Sequence, residues 1–186
     1  YEDPTDSGAD NLYDVVITVS DGINTTTQAL VVSVLDLNDR GPVILNLASS
    51  ISVDENQTSV VTVSASDADG DSLTYSLSGT DASSFSINSS SGVITFNSAP
   101  DYETKTSYSI TVTVSDGTNT TTQAVTINVT NVNDISPVIS SSATFSAAEN
   151  QNSVGTVTAT DGDTSDTLTY SLSGTDASSF SINSSS

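Results

Sequence analysis

The sequence predicts an all-β chain of tandem Ig-like Greek-key β-sandwich domains, about seven strands each. Three observations carry this: strict apolar–polar alternation, long internal copies, and turn signals between strand-length runs. Alternation is clearest in Tyr108–Val114 and Ala124–Thr130, where apolar side chains fall on every second position, the signature of half-buried strands. No segment shows the 3.6-residue period of an amphipathic helix.

The copies set the organisation. Leu73–Ser91 and Leu168–Ser186 both read LTYSLSGTDASSFSINSSS, an offset of 95 residues. Thr18–Ala29 (TVSDGINTTTQA) returns almost unchanged as Thr113–Ala124, and Asn38-Asp39 before Pro42-Val43-Ile44 returns as Asn133-Asp134 before Pro137-Val138-Ile139. The offset drops to 94 between Glu55 and Glu149, because the loop after Asp161 carries one extra residue. On this register residues 41–136 form a complete repeat, residues 1–40 match the C-terminal part of one, and residues 137–186 match the N-terminal part. Tyr1-Glu2 aligns with Tyr102-Glu103 and Ser186 with Ser91, and Tyr1 does not read as a natural start. We therefore expect a piece of a longer array.

Within the complete repeat the strands are expected near 43–53, 59–66, 72–78, 84–88, 92–96, 106–115 and 121–131. The Asp116-Gly117 turn introduces the last of them, as Asp21-Gly22 does in the first copy. The expected core is Val61, Val63, Leu73, Tyr75, Leu77, Phe85, Ile87, Ile94, Phe96, Tyr108, Ile110, Val112, Val114, Val125, Ile127 and Val129. Seven short strands in one repeat fit an Ig-like sandwich with a modest core, so an isolated domain would be marginal.

Composition narrows the function. Twenty-three acidic residues face two basic ones, Arg40 and Lys105, for a formal charge of −21. Such a chain lacks the Lys and Arg through which proteins hold nucleic acid or anionic membrane. With neither Cys nor His, no disulfide framework, Ser-His or Cys-His arrangement can be built. No run approaches the roughly 18 apolar residues of a membrane span. No enzymatic activity is expected, since the paired acids recur in every copy and not in one unique pocket.

The acids are clustered. Asp54-Glu55-Asn56 is echoed by Glu149-Asn150, Asp67-Ala68-Asp69 by Asp161-Gly162-Asp163, Asp101-Tyr102-Glu103 by Tyr1-Glu2, and Asp36-Leu37-Asn38-Asp39 by Asn131-Val132-Asn133-Asp134. Carboxylates converging on one place repel, by about 4 kcal/mol for a pair 4 Å apart at an effective dielectric near 20. A hard cation relieves this. Ca²⁺ takes six to eight oxygen ligands, whereas zinc sites usually recruit the His or Cys absent here.

As a set, these motifs resemble the cadherin repeat, particularly its bacterial relatives, over essentially the whole chain. The resemblance implies Ca²⁺ at each junction between repeats. Carried over by position, the first junction would use Glu2, Asp36, Asn38, Asp39, Asp67, Asp69 and Asp116, and the second Glu55, Asp101, Glu103, Asn133, Asp134, Asp161 and Asp163. Asn131 stands where the first junction has Asp36, removing one charge, and Arg40 and Ile135 stand where the family often has Asn. The function expected is a calcium-rigidified stalk or filament segment of a large extracellular, cell-surface adhesin, its partners being neighbouring repeats. A recognition module for like chains or polysaccharide is one alternative. A head-to-tail polymer in which partial domains complete each other is another. Asn24 and Asn119, beside the hairpin turns, head the candidate glycosylation sites. The Thr25–Thr27 and Thr120–Thr122 runs are read as solvent-facing strand filler.

Overall fold

A computed structural model describes residues 1–163 and 166–185. Thr164 and Ser165, in the loop with the extra residue, and Ser186, which ends the second long copy, lie outside the described residues.

The strands are β1 (Leu12–Ser20), β2 (Thr25–Ser33), β3 (Val43–Ile44), β4 (Ser50–Asp54), β5 (Ser59–Thr62), β6 (Ala65–Ser66) and β7 (Thr74–Ser78), followed by β8 (Phe85–Ile87), β9 (Val93–Phe96), β10 (Ser107–Ser115), β11 (Thr120–Thr130), β12 (Val138–Ile139) and β13 (Ala159–Thr160). Single 3-10 turns occupy Ala82–Ser84 and Ala177–Ser179, and no α-helix occurs among the described residues. The sheets are β4-β11-β10-β7, β5-β9-β8, and the pairs β1-β2, β3-β6 and β12-β13. The chain divides into two compact units. One holds residues 1–51, 58–98 and 108–127, the other 52–57, 99–107 and 128–186.

The first unit holds most of the core. Val63, Phe85, Ile94, Phe96, Ile110, Val112, Val114, Val125 and Ile127 are buried there, as the alternation predicts. Phe85 stacks at a tilt on Phe96 with ring centroids 4.4 Å apart, and both meet Tyr108 edge-on at 5.5 and 5.1 Å. Burying one such side chain contributes roughly 1.5–3 kcal/mol. Val61, Leu73, Tyr75, Leu77, Ile87 and Tyr108 are only half-buried, and Pro42 is buried although the alternation did not mark it. Gly92 closes the turn into β9 at φ +68, and a Cβ there would stand 2.4 Å from the Val63 carbonyl oxygen.

Two expected strands are each broken in two. The run 43–53 becomes β3, paired with β6, and β4, which joins β11. Asn46 makes the corner: its side-chain oxygen accepts from the Ser64 N–H at 2.8 Å and its amide donates to the Thr62 carbonyl at 2.9 Å. The run 59–66 divides into β5, which pairs β9, and β6, which pairs β3; the Val63 N–H, bonded to the Gly92 carbonyl at 2.9 Å, is the last bond on the β9 side. Strands that change sheets at such corners are how two-layer packing closes.

In the second unit Val53 and Val129 are buried, and β12 pairs β13 through Val138–Thr160 and Ile139–Ala159. The second long copy does not repeat the first copy's strands. Thr74–Ser78 is β7 because β10 pairs it from Ser78–Thr111 to Thr74–Ser115. In the identical run after Leu168, Thr169 makes only an isolated bridge to Ser185.

Candidate metal centre

Each acid loop is folded by its own backbone. Asp67 Oδ1 accepts the N–H groups of Asp69 (2.9 Å) and Asp71 (3.4 Å), winding residues 67–71 around one carboxylate. Asp161 Oδ1 likewise accepts the Asp163 N–H at 3.0 Å. The second acid of each loop then grips the linker. Asp69 Oδ2 accepts from the N–H groups of Asp39 (3.0 Å) and Arg40 (2.8 Å), and Asp163 Oδ2 from those of Asp134 (3.1 Å) and Ile135 (2.8 Å).

Around Asp69, carboxylate oxygens of Glu2 and Asp36 come within 4.8 Å of one another and of its own, and Asp67, Asp69 and Asp71 form a second such group. Arg40 Nε lies 3.3 Å from Glu2 Oε2. Asp116 is buried and accepts from Thr118 and Asn119 N–H at 2.7 and 2.5 Å. Desolvation pushes its carboxyl up, but these bonds outweigh it and hold the group below the ordinary value. Asn119 passes the restraint on, donating its amide to Asn38 Oδ1 (2.9 Å), the Arg40 carbonyl (3.3 Å) and Asp116 Oδ2 (3.3 Å). A glycan on Asn119 would have to displace those bonds, whereas the Asn24 amide donates to Asp21 Oδ2 at 3.2 Å within its own turn.

In the second unit, Glu55 follows β4 and is 3% exposed. Its Oε2 accepts from Tyr102 N–H at 2.7 Å and its Oε1 from Val132 N–H at 2.8 Å, tying the 101–103 loop to the linker. Asn56, at φ +64, turns the chain so that its amide donates to Asp134 Oδ2. Glu55, Glu103, Asp134 and Asp163 bring oxygens within 4.8 Å of one another, and Asp161, Asp163 and Asp166 do the same. Asn133 donates to Asp166.

Three of these carboxylates hold an oxygen that is buried and meets no hydrogen-bond donor: Asp67 Oδ2, Asp69 Oδ1 and Asp163 Oδ1. Asp163 is 0% exposed. A buried anionic oxygen left without a donor is costly, and a cation meets the need. The electrostatics agree. Desolvation and then the charges of Asp67, Asp116, Asp69 and Asp36 raise the Asp71 carboxyl, and desolvation with Glu55, Asp163 and Asp101 raises that of Glu103. The donor set is all hard oxygen, which suits Ca²⁺ better than zinc.

Not every expected residue joins a group. Asp101 uses its carboxylate on Thr104 N–H (3.1 Å) and Oγ1 (2.9 Å), closing its own turn. Asp39 contributes its N–H, and Asn38 and Asn133 are held through their amide partners. Asp71, Asp166 and Asn56 were missed. The third acid of each loop was visible, two residues after Asp69 and three after Asp163.

Residues 49–130 match the family described as the cadherin domain. Curated relatives include cadherin EGF LAG seven-pass G-type receptor 1 of Mus musculus, 37% identical over 76% of this chain and 5% of its own length. Another is cadherin-related family member 1a of Danio rerio, 34% identical over 96% of this chain and 24% of its own. The chain thus spans a small part of the curated relatives it matches. Mouse cadherin-23 EC22-24 superposes with a TM-score of 0.72 at 28% identity, over 95% of this chain and 62% of that one. The protocadherin gammaB7 EC3-6 cis-dimer structure superposes at 0.67 with 27% identity, over 82% and 44%. Matching motifs, sandwich topology and a 95-residue internal repeat lead to one conclusion: residues 49–130 are a cadherin-like repeat, flanked in the sequence by partial copies of it.

Proposed function

We propose that the chain is a structural spacer of an extracellular, cell-surface protein, stiffened by Ca²⁺ at the junctions between successive repeats. The repeats run 1–40, 41–136 and 137–186. The Glu2, Asp36, Asp67 and Asp69 carboxylates would hold the ion at the first junction, with Asp116, Asn38 and Asp39 shaping the linker. Glu55, Glu103, Asp134, Asp161 and Asp163 would hold it at the second, with Asp101 and Asn133 in support. The observation that supports this most directly is Asp163: wholly buried, one oxygen gripping two linker N–H groups and the other without a donor beside three further acids.

When bound, the ion supplies positive charge. The protein's own part is to position the acids with backbone N–H groups, so that the linker is already threaded through the DxD loop. Extracellular modules typically bind Ca²⁺ at about 10⁻⁴ to 10⁻³ M, so such a joint reads bulk calcium without depleting it. No catalytic role is proposed, because the acids recur in two copies. The glycan candidate retained is Asn24. A second reading, contact between like chains, draws on the gammaB7 relative having been solved as a cis-dimer.

Small-angle scattering with thermal melting, with and without calcium, tests the main reading. Calcium should lengthen the particle and raise its Tm; Asp67→Ala with Asp69→Ala should remove the first junction's share of both effects, and Asp161→Ala with Asp163→Ala the second's. No change up to millimolar calcium would reduce the acids to solubilising surface.

A further inference from the structure

The two linkers present the same backbone to their acid loops and opposite side chains. Arg40 and Ile135 hold equivalent positions, each donating its N–H to the second loop acid at 2.8 Å. The Arg40 carbonyl also accepts from Asn119 at 3.3 Å, so the residue is fixed at both ends of its backbone. Its side chain goes to Glu2, with Nε 3.3 Å from Oε2, in the three-acid group of Glu2, Asp36 and Asp69. Ile135 lies instead over Gly162. A Cβ on that glycine would stand 2.6 Å from Ile135 Cδ1, and the first loop, facing Arg40, has Ala68 there. The pairs are thus matched: Arg with Ala, Ile with Gly. One acid group carries a tethered cation. The other, with four carboxylates, has an isoleucine at the equivalent linker position.

We propose that Arg40 is a built-in counter-ion that sets the calcium affinity of the first group below that of the second; this rests on the calcium reading above. A guanidinium bonded to Glu2 occupies part of the negative field a divalent ion would use, and it repels that ion. In the absence of calcium it also lowers the repulsion among Glu2, Asp36 and Asp69. The first joint is therefore less dependent on calcium, and the second, with no such cation on its linker, is the calcium-sensing one. This inverts the order that Asn131 alone suggests for the two linkers.

The test is calcium titration of the full chain by calorimetry at low and high ionic strength. The first group is read in an Asp163→Asn background, the second in an Asp69→Asn background. Arg40→Ile and Arg40→Gln should each tighten the first group about tenfold at low salt, the factor that accompanies 1.4 kcal/mol. Arg40→Lys, which keeps the charge, should not. Ile135→Arg should loosen the second group by a similar factor, and all these differences should shrink as salt screens them. Calcium binding with affinities indifferent to Arg40→Ile and Ile135→Arg overturns the proposal and leaves the calcium reading standing. No binding at millimolar calcium overturns both.

Discussion

Asp163→Asn keeps the volume of a wholly buried side chain and removes its charge. In the calcium-free chain that charge faces Glu55, 3% exposed, with carboxylate oxygens of the two within 4.8 Å. At that separation Coulomb's law gives a repulsion of about 3.5 kcal/mol at an effective dielectric near 20. Against this relief, the bonds from Asp134 and Ile135 N–H fall from a charged to a neutral acceptor, a loss of roughly 1 kcal/mol each. The expected balance is a stabilisation of about 1–2 kcal/mol without calcium, or a Tm rise of about 3–6 °C for a chain of this size. With saturating calcium the sign reverses, because the same change removes a ligand's charge, and Tm falls below that of the wild type. Melting followed by circular dichroism in chelator and in calcium measures both arms. A loss of equal size in both would refute the reasoning, since Asp163 would then serve only as an acceptor for the linker.

Glu55→Ala removes both acceptors of the Tyr102 and Val132 N–H groups and should cost roughly 3–6 kcal/mol by urea unfolding in saturating calcium, and much less in chelator, where the relieved repulsion with Asp163 offsets it. Gly92→Ala places a Cβ against the Val63 carbonyl at positive φ and should cost roughly 1–3 kcal/mol, with calcium affinity unchanged. Ile127→Ala, at a fully buried position, should lower stability by about 2–5 kcal/mol. In chelator, stability should pass through a maximum on acidification. Asp71 and Glu103, whose folded values are raised, impose a penalty at neutral pH that is relieved as falling pH protonates them. Asp116, whose folded value is lowered, contributes stability that is lost as pH falls below about 3.8. A Tm that declines steadily from neutral pH would contradict this.

Most of the sandwich was legible because its signal is periodic. Ten of the core residues expected from alternation, from Val63 to Val129, are buried. What alternation could not show is which sheet a strand joins. Residues 43–53 read as one run, and the corner at Asn46 exists because that side chain substitutes for a backbone partner. Pairing partners were equally invisible: the same LTYSLS sequence is a strand beside β10 and largely irregular elsewhere. At the site, the clustering of acids was readable, but not their division of labour. Asp101 and Asp67 look alike in sequence; one closes a local turn with Thr104, while the other keeps a buried oxygen without a donor. Such distinctions depend on which N–H groups the fold brings near, which spacing alone does not encode.

The parallel run of β4 beside β11 has a mechanical consequence. Leu47 meets Gln123, Ser49 meets Thr126, and Glu55 meets Thr130, so both strands advance in the same direction. The chain enters this repeat ahead of β4 and leaves it after β11. Tension applied through neighbouring repeats therefore pulls the two strands past each other along their length. Their bonds share that load together and do not open one by one from an end. Glu55, bonded to the linker at Val132, sits where such a load would leave the sheet.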